Sequence, residues 1–406
     1  MQKITWFNNI TANQSINYLF VIYAFMLPVS RTGISVFTAL LFIVWFFTDD
    51  FKNRIKFLKS NKTIIYLLLF MGFSFLSLLW SDNISSGIYY IRKYWYYVAI
   101  FVIATTVTKK YIEHAISAFL IAMLISEVLS YGIFFELWTF KNSSPDFPTP
   151  FMNHIQYSVF LAFTALLLLN RLFYVHEIKY KLFYFLYFLT VTANLFLNAG
   201  RTGQVAFIAS IFILAFLNIK NKFLALFGTL LLVSLIFFIS YQVSPNFKER
   251  VNAGISDIQK ITQQNSYCNS WGLRLGAWIN AKEIFMNNPL LGTGVTNEMS
   301  ILKENIVNNH PDMLCVKDIT SYHNYFVQTS VRLGVVGLFL YLMIYYSLFR
   351  LGIKDKQYYT LMVIFITVYS ISSLVENLFH EQFTQALLAL FIGIFIAQNR
   401  LENQKD

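Results

Sequence analysis

Long apolar runs alternate with short polar connections along almost the whole chain. Each run approaches the length of about 20 residues that a helix needs to cross the hydrocarbon core of a membrane. The pattern therefore predicts twelve membrane-spanning helices, and the first two, divided only by Ser30-Arg-Thr-Gly33, are expected to form a tight hairpin. The runs cover residues 16 to 29, 33 to 47, 64 to 80, 88 to 107, 113 to 135, 155 to 175, 182 to 199, 203 to 219, 223 to 241, 324 to 348, 357 to 375 and 382 to 398.

One long polar segment interrupts this alternation between the ninth and tenth runs. It divides the chain into membrane helices in 1 to 241, a large loop in 242 to 322, and further helices with a tail in 323 to 406. Within the loop, residues 246 to 260 read as a charged surface helix and residues 272 to 286 as an amphipathic helix. The pattern predicts an all-α polytopic membrane protein with one large loop that contains short amphipathic helices.

Composition supports this class. Hydrophobic residues make up 57% of the chain, charged residues only 13%, and the mean hydropathy is +0.54, which leaves too little polar surface to cover a soluble protein of 406 residues. The net charge of +11 is spread in short clusters between apolar runs. A nucleic-acid binder would need a continuous basic face, so we expect membrane lipids and no nucleic acid as partners.

The placement of lysine and arginine predicts the orientation. Most of them fall in alternate connections that share one side of the membrane with both termini, which the positive-inside rule assigns to the cytoplasm. The long polar segment is then outside, which in a bacterium means the periplasm. The predicted location is therefore a bacterial inner membrane with both termini cytoplasmic.

The chain has two cysteines, Cys268 and Cys315, and both lie in the exported segment. Two cysteines in one exported loop favour a disulfide, because the compartment is oxidising. The alternative is a pair of unrelated thiols.

Three polar residues are candidates for chemistry at the outer face. Arg201, in Asn198-Ala-Gly-Arg-Thr-Gly203, sits between two apolar runs with almost no loop, where Gly200 and Gly203 are expected to permit the turn. An arginine at that depth is costly unless it is paired or lines a polar cavity, so it is a functional candidate. The alternative is an interfacial arginine that binds any phospholipid phosphate.

The second and third candidates follow in the loop. Arg274 begins an apolar stripe in Trp271-Gly-Leu-Arg-Leu-Gly-Ala-Trp278, where it either serves the site or only reaches lipid headgroups. His323 stands at the start of the tenth helix in Ser321-Tyr-His-Asn-Tyr325, and imidazole is the side chain best suited to accept a proton near neutral pH. The chain has no HExxH, CxxC or DxD motif, so no metal ligands and no cofactor are predicted.

These motifs together resemble the O-antigen ligase and polymerase superfamily. They are the Ala-Gly-Arg-Thr-Gly turn, the Arg-Leu-Gly-Ala-Trp helix, Asn288-Pro-Leu-Leu-Gly-Thr-Gly294 and the His-Asn-Tyr at the next helix, in that order around one large outer loop. Each motif alone is weak, but the ordered set in this topology is specific. By motif the resemblance covers residues 195 to 350, about half of the chain, and in size the chain is similar to the lipopolysaccharide O-antigen ligases.

The resemblance implies a membrane glycosyltransferase of the GT-C-like type that is inverting and independent of metal. The implied donor is a glycan on undecaprenyl pyrophosphate, and the implied acceptor is a sugar hydroxyl of the lipid A core. Guanidinium groups grip phosphate oxygens bidentately, so Arg201 and Arg274 are expected to stabilise the leaving pyrophosphate. His323 is then the general base that deprotonates the acceptor.

Four further residues are candidates for substrate binding. Arg31, Arg92 and Lys93 lie on the outer side, where they are expected to meet donor or acceptor phosphates, although interfacial anchoring would explain them equally well. Glu376 is one helical turn before His380 and is a candidate to orient His323.

Three functions of different classes remain open from the sequence. They are a ligase, a polymerase that joins two lipid-linked glycans at the same site, and a transporter or flippase. A transporter would show an internal repeat and charges near mid-helix, and neither is evident. The additional outer basic residues suit a phosphorylated core acceptor and favour the ligase.

Overall fold

The computed structural model describes residues 11 to 48, 50 to 140 and 143 to 404. The chain ends that were predicted to be cytoplasmic, residues 1 to 10 and 405 to 406, lie outside this described part. Within it the chain forms α-helices joined by loops and short 3₁₀ turns, without a β-strand. The helices are α1 (Ala12–Met26), α2 (Arg31–Phe46), α3 (Phe51–Ser60), α4 (Lys62–Leu76), α5 (Ile84–Ile91), α6 (Val98–Thr106), α7 (Lys109–Phe134), α8 (His154–Tyr174), α9 (Ile178–Leu197), α10 (Arg201–Asn218), α11 (Lys222–Val243), α12 (Pro245–Gln264), α13 (Ser270–Asn287), α14 (Glu298–Asn309), α15 (Tyr325–Phe349), α16 (Lys356–Ser373) and α17 (Gln382–Asn403).

Helix falls in every predicted apolar run, and the all-α polytopic membrane class is confirmed. By length and composition, eight helical segments of the described residues are able to cross a membrane, or nine if α2 and α3 form one bent span. The eight are α4 with the 3₁₀ turn that follows it, α7, α8, α9, α10, α11, α15 and α17. This count is lower than twelve because α1 has only 15 residues and α2 only 16, because the fourth run is broken, and because α16, with 18 residues, is not apolar enough. A 3₁₀ turn, Arg92–Tyr97, separates α5 from α6 there.

Burial separates the central helices from those at the periphery. In the most apolar 18-residue stretch of α17, 89% is buried inside the protein. This helix is therefore surrounded by others, and it packs against α2, α6, α7 and α16. In the corresponding stretch of α11, only 11% is buried, although this helix is the most apolar of the eight candidate spans. A helix that is apolar on an exposed surface is suited to contact lipid, so α11 forms part of the periphery of the bundle.

The polar segment between α11 and α15 folds into α12, α13, α14 and a 3₁₀ turn, Pro311–Val316, and none of these qualifies as a membrane span. Its apolar side chains form a second, smaller core around Ala277, Leu302 and Tyr322. A disulfide joins Cys268 to Cys315, with their Cα atoms 5.6 Å apart. The bond ties the start of α13 to the 3₁₀ turn.

The Asn288-Pro-Leu-Leu-Gly-Thr-Gly294 motif holds a break in α15. Gly334 has φ +61° and ψ −163°, which side-chain-bearing residues rarely adopt, so the helical hydrogen bonds are interrupted there. The motif replaces them: the N–H groups of Thr293 and Gly294 donate to the carbonyls of Val331 and Arg332, and Val335 donates to Pro289. The polar segment between α11 and α15 is therefore attached to α15 by backbone hydrogen bonds.

Candidate active site

His323 lies just before α15 in a strained, well-anchored conformation. Its φ of +47° is uncommon for a residue other than glycine and asparagine, and such strain is often found at functional sites. The carbonyl of Tyr322 accepts a 2.7 Å hydrogen bond from the indole of Trp278, and the side chain of Asn324 caps α15. Both neighbours fix the backbone, so the imidazole, about one third exposed, is presented at a defined position.

Glu376 joins His323 to Arg274. One carboxylate oxygen lies 3.2 Å from His323 Nδ1 and the other lies 3.0 Å from Arg274 Nη2. Glu376 is buried, and it belongs to the connection between α16 and α17. This connection is a turn followed by a short 3₁₀ segment, Leu378–His380, so the expectation that Glu376 and His380 share a helical face is wrong.

Arg274 is placed by α13. Asn269 caps this helix by accepting a hydrogen bond from the Gly272 N–H, which fixes the first turn in which Arg274 stands. Farther along the same stripe, Ala281 is buried in the small outer core, so this face of α13 packs against protein. The guanidinium therefore contacts Glu376, and it is the ion pair that holds Arg274 in place.

Arg201 is the first residue of α10 and is half-buried. Among the described residues its guanidinium has no hydrogen bond or ion pair, but the charges of Arg250, Arg274 and Asp257 act on it. The N-terminus of a helix adds a partial positive charge. We call Arg201, Arg250 and Arg274 the arginine cluster. Asp257 and Glu376 bring two carboxylates to its three guanidinium groups, so the cluster keeps a net positive charge and favours an anion.

The two glycines beside Arg201 serve close packing. Neither has a positive φ, so the turn itself does not require glycine. A Cβ atom on Gly203 would lie 2.0 Å from the Ser158 carbonyl oxygen, and one on Gly200 would lie 2.4 Å from that of His154. The glycines therefore allow α10 to approach α8 at backbone distance, which sets the position of Arg201.

An apolar groove starts at the arginine cluster. One part, of about 340 Å³, is lined by α9 to α13 and includes Arg201 and Arg250 beside Phe247 and Ile255. A second part, of about 360 Å³, runs between α9 and α11, and the two meet at Phe196. We call the two parts the tail groove. It connects a cationic site to the lipid-facing side of the bundle.

A polar cavity of about 390 Å³ is lined by Glu376 and His323. Its far wall comes from the start of α8, with Gln156, and from the connection before α17, with Glu381. Gln156 donates a 2.9 Å hydrogen bond to Glu381. We call this space the polar cavity. His323 and Glu376 thus line the polar cavity, and Glu376 also contacts Arg274 of the arginine cluster.

The three secondary basic candidates lie apart from the polar cavity. Arg31 is exposed over the Phe383 ring, and Arg92 is exposed over the Tyr89 ring at 3.7 Å. Lys93 Nζ donates to the His380 carbonyl oxygen and lies 3.4 Å from its Nδ1. Lys93 therefore supports a residue of the cavity wall, whereas the two arginines lie on aromatic rings at the surface.

His380 differs from His323 in its surroundings. Its ring stacks on Tyr90 with 3.5 Å between centroids, and its Nε2 carries the proton, because it lies 2.9 Å from the Tyr90 carbonyl oxygen. Burial, together with the ammonium of Lys93, lowers the pKa of His380 to about 3. The imidazole is neutral at physiological pH and too weakly basic to act as a general base.

Sequence reasoning missed two features of this region. The sequence placed Arg250 in a charged surface helix. In the structure that helix, α12, lies over the tail groove, and Arg250 lines the groove. The Arg332 guanidinium is bound by Glu298 through Nε at 2.6 Å and lies over the Tyr90 ring. No motif signals that pair, because its members are 34 residues apart.

Comparison with known proteins finds similarity over part of the chain. An uncharacterized protein of Haemophilus influenzae is 25% identical over 240 residues, and the alignment spans 57% of this chain and 59% of that relative. Residues 186 to 342, which include Arg201, Arg274 and His323, match the family model described as O-antigen ligase. This match supports the resemblance of the motifs in that segment to the O-antigen ligase and polymerase superfamily.

Proposed function

We propose that the protein is an O-antigen ligase, which transfers a glycan from undecaprenyl pyrophosphate to a sugar hydroxyl of the lipid A core. The observation that carries the proposal is the single carboxylate of Glu376, which contacts His323 and Arg274 at once. It connects a general base to a phosphate-binding group, which is what such a transfer requires on the two sides of the bond that changes.

His323 acts as the base. With Nδ1–H donating to Glu376, the lone pair of Nε2 is available to accept the proton of the acceptor hydroxyl. The hydroxyl oxygen then forms a bond to the anomeric carbon, and the bond from that carbon to the pyrophosphate oxygen breaks. One displacement on the face opposite the leaving group inverts the anomeric centre.

The arginine cluster stabilises the leaving group. Pyrophosphate leaves with a developing negative charge, and guanidinium groups meet it with fixed positive charge and paired N–H donors. Arg274 uses one N–H for Glu376 and has others for phosphate, while Arg201 has the whole guanidinium available. A divalent cation is therefore unnecessary, and full activity is expected in excess chelator.

The tail groove supports a polyprenyl donor. Arg201 and Arg250 line the groove together with apolar side chains, so an anionic head and an apolar chain are bound next to each other. Glycans on short soluble carriers would leave this groove unused. The groove also favours transfer over transport, because it brings the carrier to the chemical groups instead of through the bundle.

The proposed location is the bacterial inner membrane, with both termini in the cytoplasm. The distribution of lysine and arginine supports this orientation, and it places the segment 242 to 322 in the periplasm. The disulfide fits an oxidising compartment.

A deletion strain tests the proposal. Loss of a ligase leaves long glycans on the polyprenyl carrier above a bare lipid A core, and the wild-type gene restores transfer whereas His323→Ala does not. A core capped with a single repeat unit after deletion would instead assign the protein to polymerisation. Variant protein in the membrane is quantified in parallel, so that failure to accumulate is separated from failure to react.

A further inference from the structure

We propose that the polar cavity is the subsite of the acceptor sugar, that Glu381, held by Gln156, recognises its hydroxyl groups, and that phosphate is excluded from this space. The inference rests on the proposed function and adds which space of the protein holds the acceptor sugar. It also adds two residues that set its specificity.

Charge divides the two sides of the site. On one side Arg201 and Arg250 line the tail groove, and neither forms an ion pair within the described part of the chain. On the other side the polar cavity is lined by the carboxylates of Glu376 and Glu381. A pyrophosphate is drawn to the first space and repelled from the second, so the donor head and the acceptor sugar occupy different spaces.

The basic residues of the polar cavity do not offset these carboxylates. Arg332 is already neutralised by Glu298, which binds its guanidinium. His380 is uncharged, because burial lowers its pKa far below neutrality. The charge of Glu376 is matched by Arg274. Glu381 forms no ion pair within the described part of the chain, so its negative charge remains for a ligand.

Glu381 is built into the cavity wall even though its side chain is exposed. Gln156 is 1% exposed, and its amide donates to one carboxylate oxygen of Glu381 while its own carbonyl oxygen has no hydrogen-bond partner in the described structure. The arrangement fixes the carboxylate and leaves its second oxygen able to accept. The fixed carboxylate and the amide oxygen both accept, so they are suited to sugar hydroxyls, which donate, and unsuited to phosphate oxygens, which only accept.

The position relative to His323 completes the argument. Glu381, Gln156 and His323 line one continuous cavity, so a sugar held by the first two presents a hydroxyl to the imidazole. The cavity volume of about 390 Å³ is within the range of small-ligand sites. Acceptor phosphates must then lie outside the cavity, on the parts of the core that remain at the surface.

The test compares Glu381→Gln with Glu304→Gln, an exposed carboxylate on α14 that does not line the polar cavity. The probe is lipid A core glycolipid extracted from a strain that lacks this gene. Its Kd is measured without donor on the purified, detergent-solubilised protein, and transfer kinetics are measured with a polyprenyl-pyrophosphate-linked glycan. Thermal melting of Glu381→Gln confirms that it folds, and Glu381→Ala is the second variant.

We expect Glu381→Gln to raise the Kd and the KM for the glycolipid about tenfold, the loss of one charge-assisted hydrogen bond, and to leave the donor KM unchanged. Glu304→Gln should leave all three constants unchanged. A raised donor KM, a glycolipid Kd within twofold of wild type, or no glycolipid binding by the wild type would each overturn the subsite. Glycolipid that is bound but not transferred by the wild type contradicts the proposed reaction alone, because the Kd values still decide the subsite.

Discussion

Replacing Glu376 by glutamine should remove the general base without removing the imidazole. The amide has one accepting and one donating end, whereas Glu376 accepts from both Arg274 and His323. Its oxygen will face Arg274, because the hydrogen bond to a charged donor is stronger. Its NH₂ then faces His323 Nδ1, which must accept, so the ring proton moves to Nε2. In that tautomer Nε2 has no lone pair for the acceptor hydroxyl.

The expected loss follows from the step that is removed. General base catalysis contributes about 10²- to 10⁴-fold, so kcat should fall by that factor, equivalent to about 2.7 to 5.5 kcal/mol of activation free energy. The KM for the donor should change less, because Arg201 still binds phosphate. In the double variant, His323→Ala added to Glu376→Gln should cost little more than His323→Ala alone, since both changes disable one unit.

The assay is transfer to lipid A core glycolipid by purified protein, with initial rates at saturating donor. A matched control is Glu283→Gln, because Glu283 also contacts a histidine, His310, at 2.9 Å, but on the outer segment away from the polar cavity. The control should keep full kcat. If Glu376→Gln keeps kcat within about threefold, or if the two losses multiply in the double variant, the orienting role of Glu376 is wrong.

Five other substitutions test separate parts of the structure. Arg201→Lys and Arg274→Lys should each lower kcat more than tenfold, because lysine keeps the charge but loses the paired donors; equal activity would contradict bidentate phosphate binding. Cys268→Ser opens a link of 47 residues, and the chain-entropy model gives a loss of about 4 kcal/mol, visible as a lower melting temperature. Gly334→Ala places a Cβ 2.2 Å from the Leu290 carbonyl oxygen at a positive φ and should destabilise the protein by at least about 1 to 3 kcal/mol in the same measurement. His380, neutral when folded, should cost about 1.4 kcal/mol of stability per pH unit as pH falls from about 6.5, its unfolded pKa, towards 3; His380→Gln should remove this part of the pH dependence of unfolding.

The fold class could be predicted because apolar runs are continuous in sequence. The number of spans could not, since hydropathy does not distinguish an unbroken helix from one that is interrupted. The fourth run reads as one apolar stretch, yet Arg92–Tyr97 forms a 3₁₀ turn and leaves α5 and α6 both short. The first two runs were long enough only if residues at their ends were helical, and α1 ends at Met26.

The sequence indicated most of the candidate residues, but it did not indicate how they contact one another. Arg201, Arg274 and His323 stand in local motifs, so the sequence alone draws attention to them. Glu376 was named as a candidate to orient His323, but on a spacing from His380 that is not helical; it is 102 residues from Arg274 and 53 from His323. Its role depends on a turn whose conformation is set by packing between α16 and α17. Contacts of this range are determined by the assembled bundle and leave no local signal.

Glycine shows the same limit in a different form. A glycine next to Arg201 was correctly associated with the position of the arginine, but the reason proposed, a permissive turn, was wrong. Gly203 is conformationally ordinary, and it is the Ser158 carbonyl oxygen of α8 that excludes a side chain there. Only the structure identifies such a neighbour, because α8 and α10 are separated by the whole of α9.

In the proposed mechanism the base and the phosphate-binding arginine both depend on the carboxylate of Glu376. Arg274 and Trp278 lie on the same helix, and the Trp278 indole holds the carbonyl of the residue before His323. Arg274 and His323 are thereby linked within the outer segment, whereas Glu376 belongs to the membrane bundle. Glu376 is thus one of the contacts between the outer segment and that bundle, and its two hydrogen bonds would also set the tautomer of the proposed base. The contact between the outer segment and the bundle at Glu376 and the tautomer of His323 therefore depend on the same hydrogen bonds, and a substitution that disturbs one is expected to disturb the other.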